Sequence, residues 1–166
     1  MGSGEEEHVQ LATDLGRLLA TLGVHLLTGG GRGVMTSVSR SFANTPNRLG
    51  AVIGILPCRE ADPLCHLKEG YPNPWIEIPI LTHLPLSGPG GTDPMSRNHI
   101  NILSSDVVIA LPGGLGTASE VVLAKSYKKP VIVFLGSSGR LDGIPAEVPI
   151  TRSLSETECF LRSRID

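Results

Sequence analysis

The chain predicts an α/β fold: a three-layer α/β/α sandwich around a Rossmann-like parallel sheet that lacks its first strand. Three observations point there. Short continuous apolar runs (Val24–Leu27, Ala51–Leu56, Asp106–Leu111 and Pro130–Leu135) alternate with amphipathic helical stretches, the pattern of parallel strands covered on both faces. Two of the runs end in glycine-rich turns, Thr28–Gly33 and Pro112–Gly116, each followed by a helical pattern. And the chain opens on a helix, where a fold of this kind opens on a buried strand followed by its first glycine loop.

From the beginning, Glu5–Leu22 reads as that helix. Leu11, Leu15, Leu18 and Leu22 fall on one face, Glu5, Glu6 and Glu7 sit at the positive end of its dipole, and Gly23 stops it. The preceding residues, MGSG, resemble the inside of a first glycine loop. A start codon placed too late, a truncated chain or an expression scar each leaves the central sheet one strand short. After the Val24–Leu27 run and its glycines, Val34–Phe42 returns to a helical pattern. Ala51–Leu56 is closed by Pro57, and a helix near Ser96–Ser104 leads into Asp106–Leu111. The next helix covers about Thr117–Tyr127, ahead of the fourth run, Pro130–Leu135. Crossovers between these strands are expected to be right-handed.

Two stretches stand outside the repeat. Arg59–Pro94 holds seven of the 13 prolines and the only tryptophan. Ile76, Ile78 and Ile80 alternate there as in an edge strand. A connection this long in a compact domain points to function. The segment from Gly136 is a looser tail with a short helix from Ser155. The whole of residues 1–166 reads as one nucleotide-binding domain, with residues 1–135 as its core.

Composition narrows the function. Hydrophobic residues make up 40% and charged residues 18%, with a net charge of −2; this is a globular composition without the basic footprint of a nucleic-acid binder. No apolar run approaches the roughly 20 residues that span a bilayer, and the N-terminus carries no secretory signal. Three cysteines, Cys58, Cys65 and Cys159, fit a reduced, cytoplasmic setting. The spacing of Cys58, Cys65 and His66 matches no zinc pattern, so no metal site is expected.

The chemistry concentrates at Leu111–Glu120, LPGGLGTASE. The strand delivers the chain to the carboxyl edge of the sheet, where ligands of open α/β folds bind. Gly113, Gly114 and Gly116 permit positive φ and close approach of a ligand to backbone. Thr117 either caps the helix or donates its hydroxyl to a phosphate oxygen, and the free N–H groups of the first turn face an anion. Glu120, three residues on, also fits a capping box with Thr117. Gly29, Gly30, Gly31 and Gly33 form a second such turn on the same edge. Arg97 shares a helix face with Ile100 and Leu103, and an inward arginine needs an anionic partner, either a ligand phosphate or Glu120. Asn98 and Asn101 are further polar contacts.

With GGGRGVM (Gly29–Met35), an arginine-bearing helix (Met95–Ser104) and PGGLGTASE (Pro112–Glu120), the chain resembles the LOG superfamily over roughly residues 1–135. That superfamily includes cytokinin-activating nucleoside 5′-monophosphate phosphoribohydrolases, often labelled lysine decarboxylases, and molybdenum cofactor carrier proteins. The resemblance implies that Gly113, Gly114, Gly116 and Thr117 hold a 5′-phosphate, and that Arg97 and Glu120 are the catalytic pair for hydrolysis of an N-glycosidic bond. A carboxylate beside the anomeric carbon stabilises an oxocarbenium-like transition state and orients water; no cofactor or metal is required. Two features depart from the hydrolases. Met95-Ser96-Arg97-Asn98 replaces their Met-His and Arg-Lys pattern, and RNHINILSSDVV with the short Ser126–Lys129 link is closer to the carriers. The retained Pro-Gly-Gly points the other way. A decarboxylase would need a pyridoxal lysine and a larger fold.

Three readings follow. The first, and the leading one from sequence, is a phosphoribohydrolase acting on an AMP-like nucleotide. The second is a carrier that binds molybdopterin or the molybdenum cofactor without turnover, in a larger cleft walled by Tyr71, Trp75 and His83, aromatics that equally suit packing of the long loop. The third is a nucleotide sensor in which ligand binding drives assembly. Helices on both sheet faces leave apolar surface for a homodimer.

Overall fold

The computed structural model describes residues 1–59, 64 and 66–165. Helix α1 (Val9–Thr21) is followed by β1 (Leu26–Thr28), α2 (Val34–Ala43), β2 (Val52–Leu56) and β3 (Ile78–Leu81). After a short 3-10 turn at Gly88–Gly90 come α3 (Asn98–Leu103), β4 (Val108–Ala110), α4 (Leu115–Ser126), β5 (Val131–Phe134), β6 (Ile150–Thr151) and α5 (Leu154–Ile165). Every strand pairing between these elements is parallel, and the fold is the Rossmann-like α/β class that the alternating runs predict.

The strands form two three-stranded sheets, in the orders β1-β2-β3 and β4-β5-β6. In the first, Leu27 lies opposite Ile53 and Ile55 opposite Ile80. In the second, Ile109 lies opposite Ile132 and Phe134 opposite Thr151. No described strand joins β1 to β4. Met1–Ser3 reach only the upper end of that gap: the Met1 ammonium donates to Ile109 O at 2.8 Å, Leu111 N to Met1 O at 2.8 Å, and Ser3 N to Pro112 O at 3.0 Å.

Two cores lie on opposite sides of the strands. Leu15, Leu19, Val38, Phe42, Leu111, Phe134 and Leu161 bring α1, α2 and α5 together on one face. Ile102, Val121, Ala124, Val131 and Val133 join α3 and α4 on the other. The period-two alternation of a strand divides β5 between them, with Val131 and Val133 in one core and Phe134 in the other.

Several local expectations change. α1 begins at Val9, not Glu5, and its first turn carries no acidic residue. Ser3 Oγ accepts the N–H groups of Glu5 and Glu6, at 3.2 and 2.9 Å, and holds that stretch in a turn. Glu7 accepts a 2.8 Å bond from Ser37 Oγ on α2 and lies 3.6 Å from Arg40. Of the three glutamates, Glu7 therefore binds α2 instead of the dipole of α1, and Glu6 lies 3.1 Å from His8. The tail is more regular than its composition suggests: β6 extends the second sheet and α5 runs for 12 residues. β3 is the expected edge strand, over Ile78–Leu81.

Candidate functional site

The ends of β1 and β4 both open onto a cavity of about 990 Å³, lined among others by Gly29, Arg97, Asn98, Gly116, Thr117 and Glu120. The turn after β1 is shaped by Gly30 and Gly33, at φ 72° and 64°, a region costly for any side chain. It is braced from the long connection, where Asn73 N donates to Gly30 O at 2.7 Å and Asn73 Nδ2 to Gly31 O at 3.0 Å.

The turn after β4 uses its glycines differently from the expectation. None of Gly113, Gly114 and Gly116 has positive φ. Their value is close approach. A Cβ on Gly113 would lie 2.2 Å from Thr117 Oγ1, and one on Gly116 would lie 2.8 Å from the Gly88 Cα, whereas Gly114 faces open space. α4 starts two residues earlier than the pattern predicts, with Gly114 as its N-cap and no side-chain cap. Thr117 is thus inside the first turn, and the capping box with Glu120 does not form. The N–H groups of Leu115, Gly116 and Thr117 are left at the helix N-terminus without intrahelical partners, while Ala118 N returns to Gly114 O at 3.1 Å.

Arg97 is the N-cap residue of α3 and is only 3% exposed. Its backbone N–H donates to Leu86 O at 3.2 Å, and Leu86 N to Met95 O at 3.2 Å, so the end of the long connection fixes where the arginine starts. The guanidinium lies against Gly29: a Cβ there would fall 2.2 Å from Nη2. Nη1 donates to Asn98 Oδ1 at 3.0 Å. Nε is buried without a hydrogen-bond partner, as is Asn101 Oδ1. Among the described residues no carboxylate stands within ion-pair distance of Arg97.

The buried face of α3 also differs from expectation. Asn98, Asn101 and Ile102 point inward, whereas Leu103 is exposed. Polar residues occupy that face because it borders the cavity as well as the core.

Glu120 lines the same cavity. Burial pushes its carboxyl above the usual carboxylate range, and the Met1 ammonium and Arg97 oppose that shift through their charge. The Met1 ammonium is itself held below its ordinary value by burial. Two groups of opposite charge preference, Glu120 and Arg97, thus bound one polar end of the cavity.

The pattern did not single out Ser87–Gly91, whereas Met1–Gly4, read as the inside of a first glycine loop, also line the cavity. Gly88 packs against Gly116, and Ser119 Oγ donates to Gly88 O at 3.3 Å. Ser3 O accepts the Val34 N–H at 2.9 Å, which occupies the first donor of α2. The signal for Ser87–Gly91 was present as SGPGG within the long Arg59–Pro94 connection, which was read as functional without naming these residues. Of the three aromatic walls expected for a large cleft, Tyr71 lines the cavity, beside Gly31, but Trp75 and His83 do not. Trp75 N is turned onto Asn73 Oδ1 at 3.1 Å, and His83 is exposed. Cys65 of the Cys58, Cys65 and His66 set lies outside the described residues; among those described, no group of three His, Cys, Asp or Glu side chains is placed to hold a metal ion. Nor is any described helix long and apolar enough to cross a membrane.

A family description, the SLOG cluster4 family, matches residues 1–160. The chain belongs to the SLOG cluster4 family. The match takes in nearly all of the tail that the sequence resemblance left out, in keeping with the packing of α5 and β6 onto the second sheet. An uncharacterized protein of Archaeoglobus fulgidus is 34% identical over 142 residues, 80% of each chain. Among solved structures, the molybdenum cofactor binding protein of the phototrophic bacterium Rippkaea orientalis superposes with a TM-score of 0.70 at 32% identity, covering 98% of this chain and 91% of that one. The molybdenum cofactor carrier protein of Chlamydomonas reinhardtii gives a TM-score of 0.68 at 28% identity, covering 99% and 94%. This SLOG cluster4 chain therefore has the LOG-like fold that its glycine motifs suggested, with molybdenum cofactor carriers among its structural neighbours.

Proposed function

We propose that this chain binds the molybdenum cofactor, a phosphorylated pterin, as cargo at the junction of the two glycine turns. The observation that carries the reading is Arg97: a buried guanidinium with an unpartnered Nε, set over a glycine and without a carboxylate partner among the described residues. A buried cation without a counter-charge is costly, and a bound phosphate supplies one. The first turn of α4 adds backbone donors and a favourable dipole, and the Thr117 hydroxyl adds a neutral donor. Gly114, which lines the cavity and whose Cβ position faces open space, lets the anion approach the main chain. Tyr71, which lines the cavity beside Gly31, adds an aromatic side chain suited to a planar ring. Since no described side-chain cluster suits a metal ion, recognition on this reading falls on the phosphate and the ring. The likeness to two proteins whose names state this ligand is the further support.

A second reading, phosphoribohydrolase action on a nucleoside 5′-monophosphate, is favoured by Glu120. Its carboxyl is raised toward the range useful for proton transfer, and it shares the cavity with Arg97. In this reaction water attacks the anomeric carbon, the N-glycosidic bond breaks, and the base leaves with a proton.

One experiment distinguishes them. The protein is mixed with isolated molybdenum cofactor and, separately, with AMP, GMP, CMP and a cytokinin riboside monophosphate. Retained pterin after gel filtration, with no free base released from any nucleotide, is the expected result. Base release that is lost in Glu120→Ala makes the protein a hydrolase instead.

A further inference from the structure

Asn73 is buried in the connection between β2 and β3, and its hydrogen bonds run in two directions. Toward the site, its backbone N–H donates to Gly30 O at 2.7 Å and its Nδ2 to Gly31 O at 3.0 Å. Toward the sheet, its Oδ1 accepts the Trp75 N–H at 3.1 Å and its carbonyl accepts the Ile76 N–H at 3.2 Å. Ile76 packs on β2 where Gly54 has no side chain: a Cβ there would lie 2.9 Å from Ile76 Cγ2. Glu77 N then donates to Val52 O at 2.9 Å, beside the first pair of the β2–β3 ladder. Asn73 is thus anchored on the first sheet and holds the turn after β1 from that anchor.

The residue this brace defines is Gly31. Glycine has the widest backbone freedom, but each peptide unit is planar. Fixing the carbonyls of Gly30 and Gly31 therefore fixes the planes on both sides of the Gly31 Cα. Thr36 Oγ1 of α2 adds a second bond to Gly31 O, at 3.0 Å. Two side chains come down on the bare face so presented. A Cβ on Gly31 would lie 2.8 Å from Met35 Cε, 3.0 Å from Tyr71 Oη and 3.1 Å from Tyr71 Cε1. Met35 and Tyr71 both line the cavity, and a thioether and an aromatic side chain both suit a flat ring. Tyr71 stands two residues before Asn73, so the same brace sets where the tyrosine starts. The phosphate end has separate supports, Arg97 N on Leu86 O and Ala118 N on Gly114 O.

We infer that Asn73 is a positioning residue for ring recognition: it sets Gly31, Met35 and Tyr71 to receive the flat ring of a phosphorylated heteroaromatic ligand, a pterin or a purine. The inference rests on the reading that a phosphorylated ligand occupies this cavity, and adds how the protein prefers a ring-bearing phosphate to a ring-free one. Asn73 itself touches no ligand. It acts through the turn, so its loss is felt at the ring and not at the phosphate.

The test titrates isolated molybdenum cofactor, AMP and ribose 5-phosphate, which carries a phosphate without a ring, into wild type, Asn73→Ala and Gly31→Ala. Wild type is expected to bind a ring-bearing ligand more tightly than ribose 5-phosphate. Asn73→Ala should weaken that ligand about fivefold or more, the worth of one ring contact, and leave ribose 5-phosphate within about twofold. Gly31→Ala, which displaces Met35 and Tyr71 without touching the brace, should give the same split, and it carries the test if circular dichroism shows Asn73→Ala unfolded. A merely structural role for Asn73 weakens all three ligands alike and overturns the inference. So does unchanged affinity for the ring-bearing ligands in a folded variant, or a wild type with no preference for a ring. If wild type takes AMP but not the cofactor, the carrier reading fails, while the same split on AMP still supports the inference.

Discussion

The Arg97 guanidinium occupies the volume that any side chain at residue 29 would need: a Cβ on Gly29 would lie 2.2 Å from Nη2 and 2.5 Å from both Cζ and Nη1. A residue from the turn before α3 and one from the turn after β1, 68 positions apart in sequence, thus share one site. Arg97 is buried beside the cavity, so its guanidinium can make room only by leaving its place over residue 29. Gly29→Ala is therefore expected to push the guanidinium out of line and weaken binding of a phosphorylated ligand by roughly tenfold to a hundredfold, the worth of a hydrogen bond to a charged group. The fold should stay intact. Titration calorimetry beside circular dichroism checks this, and unchanged affinity in a folded variant contradicts the placement.

Glu120 makes a pH-dependent prediction. Its folded-state pKa is raised above 4.5, chiefly by burial. The favourable state is then the neutral carboxyl, whose contribution is full below the unfolded value and is lost as pH rises through the folded value. Glu120→Gln removes that loss. The thermal midpoint of the variant should exceed that of wild type by an amount that grows from about pH 4.5 upward. A gap independent of pH would count against a buried, titrating carboxyl.

At the other end of the first sheet, Glu77 behaves in the opposite sense. Its pKa is lowered by the hydrogen bond from Arg48 and then by the Val52 N–H, which donates at 2.8 Å. The stabilisation is present above 4.5 and lost as pH falls through the lower folded value. Since the side chain is 39% exposed, solvent screening limits the effect. Glu77→Gln should cost about 0.5–1 kcal/mol at neutral pH and nothing well below pH 4. Urea unfolding at the two pH values reads the difference.

α1 and α2 meet across Gly16. A Cβ there would lie 2.7 Å from both Ser41 Cβ and Val38 O, and the latter is backbone, which yields only if the helices separate. Gly16→Ala should destabilise the fold by about 1–3 kcal/mol despite its better helix propensity. A measured gain in stability would show that the two helices are free to part.

The strands and most helices were legible because their signal is local. Continuous apolar runs such as Val131–Phe134 and the Leu11–Leu22 stripe encode their own burial. MGSG, standing directly before a helix, was read as the inside of a first glycine loop, and no described strand lies between β1 and β4. The site was half legible. Glycine turns and an arginine on a helix announce an anion cradle, but which residues meet is decided by long-range packing. Gly88 reaches Gly116 through the Leu86–Ser96 pairing, and Trp75 leaves the cavity because Asn73 bonds the turn after β1. The cap was misread for a local reason: α4 starts at Leu115, so Thr117 was one turn too deep to cap it. Leu103 was placed on the wrong face of α3 because hydrophobic periodicity cannot register a helix that borders a cavity, where the inward positions are Asn98 and Asn101.

The central claim is that Arg97 is the counter-charge for a bound phosphorylated pterin, and equilibrium titration of the molybdenum cofactor into wild type and Arg97→Met tests it most directly. Methionine keeps much of the apolar volume and removes the charge. Saturable binding by wild type near one equivalent, weakened at least about tenfold in a variant that remains folded, is the predicted result. Equal binding by both proteins, or no binding by wild type, would contradict the account.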